Sequence, residues 1–357
     1  MTNQINIFTF HYAYNYGAFL QAFALLKVNN DFKIANLNKT FKVDSMSCIG
    51  YNGKKYLPVV WRIISLFRYL RKNARKARKR HFDEEAMFGL TEPLLKLSKK
   101  QMRKKLNDSI AICGSDQIWN PTMIMGREDV FFANIANFSK RISYAASLGM
   151  RKWPAIFEKR SVPLLKKFDA ISVREELSVK YLESLGIKNV ACVCDPTILH
   201  SAEFYRTHFS YIRKNTERPF FYRIREQFPN NLNSLFSQTD MVDLKDSSTI
   251  VSVSDWLKLI DNSTCVCTDS FHGTVFSLLF HKPFLVVPNM GSQKGMNERF
   301  KTLLKKTNLE YRCISCDEGS EDLLAKLKTP IDWGFVDSVL EEWRTFSLNW
   351  LKNALES

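Results

Sequence analysis

The sequence of 357 residues has no apolar run that approaches the ~18–20 residues of a membrane-spanning helix. Its beginning, MTNQINIFTF, lacks the basic region and apolar core of a secretory signal peptide. Low-complexity tracts and solenoid-type repeats are also absent. These absences exclude a membrane-spanning or solenoid protein, and we expect a cytoplasmic globular one.

Cysteine is present, but not in the pattern of a metal site. The eight cysteines include three close pairs: Cys192 with Cys194, Cys265 with Cys267, and Cys313 with Cys316. Only the last pair has CxxC spacing, and no second CxxC completes a zinc knuckle. Thiols of a cytoplasmic protein stay reduced. We therefore expect free, mostly buried cysteines and no metal.

Positive charge is in excess, and one segment carries much of it. The net charge is +16, and residues 62–80 contain nine Lys or Arg and no acid. Three interpretations stay open for this segment: a solvated helical face, a site for anionic lipid or a polyanionic substrate, and a nucleic-acid patch. Aromatic residues are not interleaved along it, so we do not expect a platform for stacked bases.

Short β-type runs alternate with amphipathic helical runs, which predicts parallel sheets flanked by helices. The expected strands are INIFTF, FKIANL, SIAIC and RISYAAS in the first half, then AISV, NVACVC, RPFFYRI, TCVCT and PFLVV in the second. We expect an α/β protein with two doubly wound, Rossmann-like domains, a cleft between them, and a C-terminal helix. The prolines and charges of 149–167 place the predicted domains at 1–160 and 161–330, with the helix at 331–357.

Polar residues follow two strands of the first half. After the first strand, Asn15 and Gly17 lead into a helix, whose free N–H groups suit an anion or a sugar hydroxyl. An ordinary strand-to-helix turn explains them equally well. After SIAIC, a second polar group stands beside a tryptophan, as in many sugar sites: Ser115, Asp116, Gln117, Trp119 and Asn120. Asp116 is a candidate base, or else it caps the following turn.

Two strands of the second half also end in polar residues. Arg174 follows AISV and opens a predicted helix, where the helix dipole disfavours a cation. It therefore calls for a compensating anion, which Glu175 and Glu176 are also placed to supply. His272 lies in the first turn of another predicted helix, where it suits an anion or an acid–base role. The alternative is that this helix start is purely structural, with Asp269 or Ser270 as a simple N-cap.

Five of these stretches resemble the polysaccharide pyruvyltransferase family in order and spacing. They are CGSDQIWNP, SYAASLG, SVREELSVKYLESLGI, CDPTILH and TDSFHGTVFSLL, and YNYGAFLQAFAL near the start resembles the family's N-terminal motif. The resemblance covers roughly residues 5–287. It implies a GT-B-like fold and transfer of the pyruvyl group of phosphoenolpyruvate to two hydroxyls of one sugar, which forms a ketal and releases phosphate.

The resemblance also implies roles for particular residues. The C-terminal domain is expected to bind the donor through Arg174 and His272, with Ser270 and Gly273 beside them. The N-terminal domain is expected to bind the glycan. Some members have an arginine where this chain has Ser270, and Arg299 and Lys294 are our candidates for the missing charge. His272 is the candidate acid or phosphate ligand, and Asp116 the candidate base. Phosphoenolpyruvate is a co-substrate, so no cofactor is expected.

The acceptor implied by the resemblance is a sugar of a cell-surface polysaccharide or its lipid-linked precursor. The basic segment 62–80 would then hold the enzyme peripherally at the inner membrane face, and no nucleic acid is expected. Two alternatives stay open. One is a two-domain glycosyltransferase that uses a nucleotide sugar. The other is a non-enzymatic polyanion binder, for which the net charge is the only argument.

Overall fold

The structure is a computed structural model that describes residues 4–10, 15–31, 43–47, 99–124, 128–214, 216, 218–226, 228–315 and 317–357. The basic segment 62–80, the predicted strand FKIANL and Cys316 lie outside these residues. The interpretations of the basic segment therefore stay predictions. None of the helices in the described part is both long and apolar enough to cross a bilayer.

The first sheet has six strands, all parallel, in the order β2-β1-β3-β4-β5-β6. The strands are β1 (Ile5–Thr9), β2 (Val43–Ser47), β3 (Ile110–Cys113), β4 (Lys140–Ala146), β5 (Ala170–Val173) and β6 (Ala191–Cys192). The described residues of β1 and β3 are buried throughout. Such continuous apolar runs are typical of parallel strands that are covered by helices on both faces.

Helices cover this sheet as the alternating pattern predicts. They are α1 (Tyr16–Asp31), α2 (Lys99–Leu106), α3 (Pro121–Ile124), α4 (Glu128–Phe131), α5 (Ala155–Leu165) and α6 (Glu176–Ser184), followed by a 3₁₀ turn at Pro196–Leu199. Helix α6 ends before Gly186, whose φ of +79° is the left-handed conformation that glycine adopts easily at a helix C-terminus. Gly186 thus ends this helix in the way glycine commonly does.

The second sheet has four parallel strands in the order β10-β9-β7-β8. The strands are β7 (Phe220–Arg223), β8 (Asp240–Asp243), β9 (Val266–Thr268) and β10 (Phe284–Val286). The helices are α7 (Ala202–His208), α8 (Asn230–Asn233), α9 (Val253–Asn262), α10 (Phe271–Leu279), α11 (Glu298–Lys306) and α12 (Ser320–Lys328), with 3₁₀ turns at Gly291–Asn297 and Glu310–Arg312. The expected C-terminal helix is α13 (Trp333–Glu356).

The chain divides into two compact units, each built on one sheet. Among the described residues, the first unit contains those up to Leu199 and Trp343–Ser357, and the second contains His200–Glu342. The α/β class with two Rossmann-like units is confirmed. A cleft between them as the ligand site stays a prediction.

The division differs from the boundary expected near residue 160. Strands β5 and β6, which we expected in the second domain, hydrogen-bond to β4 and belong to the first sheet. The proline-rich stretch is not a linker, because it forms α5. Pro154 stands just before this helix, and Pro163 lies inside it. Proline is well tolerated at the start of a helix, so its presence alone did not mark a boundary.

Trp119 lies in the core of the first unit. Its side chain is fully buried, and its ring stacks on Phe132 with centroids 5.3 Å apart. Its indole Nε1 donates a hydrogen bond of 3.1 Å to the carbonyl oxygen of Phe131. A tryptophan held in this way supplies packing to the core, as the aromatic residues of most interiors do.

We expect Trp119→Ala to lower the free energy of unfolding by about 3–5 kcal/mol, because it removes a large buried ring. Urea denaturation measures the loss. The matched control is Ile156→Ala on α5, whose side chain is 72% exposed. That substitution should change stability by no more than about 0.5 kcal/mol. Equal effects of the two substitutions would contradict the assignment of Trp119 to the core.

Candidate functional site

The strand order of the first sheet reverses between β1 and β3. In open parallel sheets a crevice forms at such a point, outside the carboxyl ends of the strands. Residues Gly114 to Asp116 directly follow β3. Gly114 has a φ of +135°, and a Cβ there would lie 2.0 Å from the carbonyl oxygen of Tyr144, so only glycine fits. The sequence thus places Asp116 at the reversal point.

Ser115 is tied into the core by a closed set of hydrogen bonds. Its amide and hydroxyl donate to Gln21 Oε1 at 3.2 and 3.1 Å. Gln21 Nε2 in turn donates to Thr9 Oγ1 at 2.9 Å, and Thr9 Oγ1 donates to the carbonyl oxygen of Ser115 at 3.0 Å. Gln21 was missed from the sequence, although a lone glutamine in the apolar helix GAFLQAFALL signals a buried polar contact.

Arg174 lies in the turn between β5 and α6 and is 1% exposed. Its Nη1 donates to Asp195 Oδ2 at 2.6 Å, and its Nη2 lies 3.8 Å from Asp116 Oδ1. Its Nε lies 3.7 Å from Glu175 Oε1. Burial acts to lower the pKa of the Arg174 guanidinium, but the three carboxylates outweigh it and raise that pKa above its usual value.

This network changes the expected position of Arg174. We expected it beside His272 in the second domain, but Arg174 lies in the first unit and His272 in the second. Of the two acids expected to compensate the charge of Arg174, Glu175 lies close to it. Glu176 is the first residue of α6. One cation among three carboxylates leaves a surplus of negative charge. Arg174 is therefore better suited to hold these carboxylates than to attract a doubly charged anion.

Asp195 was also missed by the sequence interpretation. It is fully buried, and its Oδ1 accepts hydrogen bonds from the amide and hydroxyl of Thr197 at 3.0 and 2.7 Å. The motif CDPTILH contains this signal, because an Asp followed by Pro and Thr commonly forms such a capped turn. The second oxygen of Asp195, Oδ2, accepts the hydrogen bond from Arg174.

Asp116 has a φ of +66° and a side chain that is 16% exposed. Its backbone carbonyl oxygen accepts from the amides of Ile118 and Ser147 at 2.8 and 2.9 Å. Within the described part of the chain its carboxylate caps no turn, and its ionic contact is with Arg174. The geometry therefore does not support Asp116 as a simple cap of the turn. A partly accessible carboxylate at a strand tip suits a general base.

The neighbours of Asp116 have structural contacts. Trp119 belongs to the core, which corrects the expectation that its ring is presented to a sugar. Asn120 Nδ2 donates to Gln117 Oε1 at 2.8 Å, and Asn120 Oδ1 accepts from the amide of Thr122 at 3.1 Å, which caps α3. Both side chains are at least 97% buried. Of the predicted group, Asp116 alone combines exposure with charge.

Asn15 and Gly17 begin α1. Asn15 Oδ1 accepts from the amide of Ala18 at 3.2 Å, as an N-cap does, and Gly17 is buried in the first turn. These contacts match the ordinary strand-to-helix turn. A role of either residue in binding the acceptor stays a prediction.

The strand order of the second sheet reverses between β7 and β9, and His272 follows β9 in the first turn of α10. Its side chain is 5% exposed. Ser270 is the N-cap, and its Oγ accepts from the amide of Gly273 at 3.1 Å. A Cβ on Gly273 would lie 2.7 Å from Thr268 Oγ1, so this position excludes larger residues. Ser270 is therefore an N-cap, as the structural alternative for this residue predicted.

Arg299 lies close to this helix terminus. It is 5% exposed, and its guanidinium carbon lies 5.6 Å from the ring centroid of Phe271. The ring of His272 lies 5.3 Å from that of the same phenylalanine. Lys294, the other candidate, is exposed on the 3₁₀ turn Gly291–Asn297. The structure thus brings Arg299, and not Lys294, into the surroundings of His272.

Asp269 joins the two strands at the reversal point. It is fully buried, and its carboxylate accepts from three successive backbone amides, those of Ile224, Arg225 and Glu226, at 2.7, 2.6 and 2.8 Å. Burial raises the pKa of Asp269, although these hydrogen bonds act in the opposite direction. Glu226 Oε1 accepts from the amide of Met290 at 3.0 Å, which brings in the end of β10.

No group of three or more metal-ligating side chains converges in the described part of the chain. The two CVC pairs lie in or next to β6 and β9, and Cys194 and Cys267 are fully buried. Burial raises the pKa of the Cys194 thiol to about 12. A neutral, buried thiol of this kind behaves as a small apolar side chain.

We expect Asp195→Ala to lower the free energy of unfolding by about 3–5 kcal/mol, because it leaves Arg174 buried without its closest carboxylate. Urea denaturation at pH 7 measures the effect. The matched control is Asp240→Ala, which removes the half-buried partner of the exposed Arg218, 3.4 Å away. Exposed pairs contribute about 0–1 kcal/mol. A loss as small as the control's would show that Arg174 does not depend on Asp195.

Several solved structures are similar to this chain, and no curated protein matches it significantly. A functionally uncharacterised protein of Klebsiella pneumoniae is 14% identical over 68% of this chain and 86% of its own, with a TM-score of 0.42. The UDP-GlcNAc 2-epimerase of Neisseria meningitidis, bound to UDP-GlcNAc, is 11% identical over 97% and 94%, with a TM-score of 0.46. The UDP-N-acetylglucosamine 2-epimerase of Rickettsia bellii is 14% identical over 98% of both chains, with a TM-score of 0.41.

A family comparison extends over most of the sequence. The sequence model of the polysaccharide pyruvyl transferase family matches residues 15–291, which include the residues that follow β3, β5 and β9. Because this match spans well over half of the sequence, the chain belongs to the polysaccharide pyruvyl transferase family.

Proposed function

We propose that this protein transfers the pyruvyl group of phosphoenolpyruvate to a sugar of a cell-surface polysaccharide or its lipid-linked precursor. Two hydroxyls of one sugar each form a bond to the central carbon of the donor. The methylene carbon of the donor gains a proton and becomes a methyl group, and the bond from the central carbon to the phosphate oxygen breaks. The products are a cyclic pyruvate ketal and inorganic phosphate.

The observation that carries this proposal is the position of Asp116. Its carboxylate is partly exposed at the reversal point of the first sheet, and Arg174 Nη2 lies 3.8 Å away. A sugar hydroxyl that attacks an oxocarbenium-like carbon needs a nearby group to accept its proton. Asp116 is the partly exposed carboxylate at this strand end, so it is accessible to such a hydroxyl. Asp116 is therefore the proposed base.

The donor carries a phosphate and a carboxylate, and it needs cationic or N–H groups to bind them. We assign this task to the second unit, where His272 stands in the first turn of α10 and Arg299 packs on Phe271. His272 either protonates the methylene carbon or stabilises the departing phosphate. Arg174 was expected among the donor ligands, and it now has the role of holding Asp116. No cofactor takes part in the proposed reaction.

The proposed site of action is the cytoplasm, with peripheral contact at the inner membrane face. The support for that contact is the charge of residues 62–80, which contain nine basic residues and no acid. A segment of this kind is attracted to anionic lipid headgroups. The acceptor would then be reached while it is still attached to its lipid carrier.

The experiment is phosphate release from phosphoenolpyruvate, measured with a panel of galactose- and mannose-type acceptors. We expect Asp116→Asn to lower kcat by about 10²–10⁴-fold, the usual contribution of a general base. Its thermal midpoint should change little, because Asp116 is partly exposed. The matched control is Asp240→Asn. Asp240 is the first residue of β8, at the amino end of that strand, and its substitution should leave kcat unchanged.

Other outcomes would contradict the proposal or part of it. No phosphate release across the whole acceptor panel would contradict the proposal. A thermal shift with nucleoside diphosphates but none with phosphoenolpyruvate would point instead to transfer from a nucleotide sugar. If Asp116→Asn kept full activity, Asp116 would not be the base, even if the reaction itself were observed.

A further inference from the structure

Two arginines stand at the end of β7, and they have different surroundings. The guanidinium of Arg223 is paired with Asp243, to which its Nε donates at 3.0 Å. Arg225 has no carboxylate within ion-pair distance among the described residues, and its buried Nη1 has no hydrogen-bond partner there. Asp269 attracts Arg225 only at longer range. Arg225 is thus a half-buried cation whose charge is not matched by an adjacent acid.

The position of Arg225 follows from the strand register. In the second sheet Tyr222 of β7 stands opposite Thr268 of β9, at the point where the strand order reverses. The next residues of the two strands lead into the same crevice. Arg225 therefore comes from one side of the reversal point, and the segment from Asp269 to His272 comes from the other.

Asp269 fixes the path of the chain at Arg225. Its carboxylate accepts the amides of Ile224, Arg225 and Glu226, so the loop after β7 is drawn across to β9. The carbonyl oxygen of Arg225 also accepts a hydrogen bond from Lys245 Nζ. Since the oxygens of Asp269 are already occupied by three amides, Asp269 holds the backbone of Arg225 without also forming a close pair with its guanidinium.

We infer that Arg225 is an anion-binding residue of the donor site, placed by Asp269 to contact the phosphate or carboxylate of the donor. This inference rests on the proposed function for the identity of the donor. Arg225 supplies a cation beside Ser270, whose short hydroxyl side chain is occupied as an N-cap. A guanidinium binds phosphate and carboxylate through paired N–H groups, which suits either end of phosphoenolpyruvate.

A purely structural role for Arg225 makes a different prediction. If the guanidinium only balanced the charge of Asp269, its loss would reduce stability and leave ligand affinity unchanged. Affinity and thermal stability therefore have to be measured on the same variants. Asp269 is a positioning residue under our inference, because it acts through the backbone of Arg225 and not on the donor.

The experiment is isothermal titration calorimetry of the full chain with phosphoenolpyruvate and, separately, with inorganic phosphate. We expect Arg225→Gln to weaken the binding of both by roughly 10- to 100-fold, the usual effect of losing a charge-assisted contact. Arg225→Met is a second neutral variant, in case the glutamine is not tolerated. The matched control is Arg218→Gln at the other end of the same strand, where Arg218 is 55% exposed. It should bind within about twofold of the unaltered chain.

Each other result overturns the inference. If Arg225→Gln binds both anions as the unaltered chain does, Arg225 is not a ligand of the anion. A lower thermal midpoint with unchanged affinity assigns Arg225 to charge balance alone. If the unaltered chain binds neither anion, the site does not exist in this form.

The failure of the proposed function gives a different result. A chain that binds phosphoenolpyruvate through Arg225 but releases no phosphate with any acceptor would contradict the reaction and leave the anion site standing. Conversely, a chain that turns over phosphoenolpyruvate with the same KM after Arg225→Gln would support the reaction and contradict the role of Arg225.

Discussion

The buried ion pair between Arg174 and Asp195 is the interaction on which the first unit's site depends. The two side chains are 1% and 0% exposed and lie 2.6 Å apart. Removing one partner of a pair at this depth is costly, because the other charge is then left buried and uncompensated. Thr197 satisfies Asp195, and Glu175 and Asp116 surround Arg174. Asp116 thereby has a cation beside it while it stays partly open to solvent.

The two units use a similar arrangement in the turns that follow their strands. In each, a fully buried aspartate organises a strand end and holds an arginine in place. Asp195 does this through the guanidinium of Arg174, and Asp269 does it through the backbone of Arg225. The two units differ in the charge around these arginines. The first unit concentrates carboxylates around one guanidinium, whereas in the second unit Arg225 has no carboxylate within ion-pair distance among the described residues.

Much of the α/β pattern was readable from the sequence, because parallel strands covered on both faces are short apolar runs. The strands that the sequence interpretation missed are β2 and β8, which are both edge strands. Their sequences, VDSMS and DMVD, are half polar and short, so they lack the apolar run by which the other strands were recognised. The boundary near 160 was misplaced because prolines that begin and interrupt α5 resemble those of a linker.

The sequence by itself determined which strand ends carry polar residues, because glycines and hydroxyl or acidic side chains are needed where tight turns leave a parallel sheet. It also placed Asp116 and His272 directly after buried strands. Only the tertiary structure decided which of these residues meet. Arg174 lies beside Asp116 in the first unit, because β5 pairs with β4, and strand pairing is a long-range choice that no local pattern records. Likewise, only the structure showed that Trp119 is buried in the core and that Arg299 lies beside Phe271.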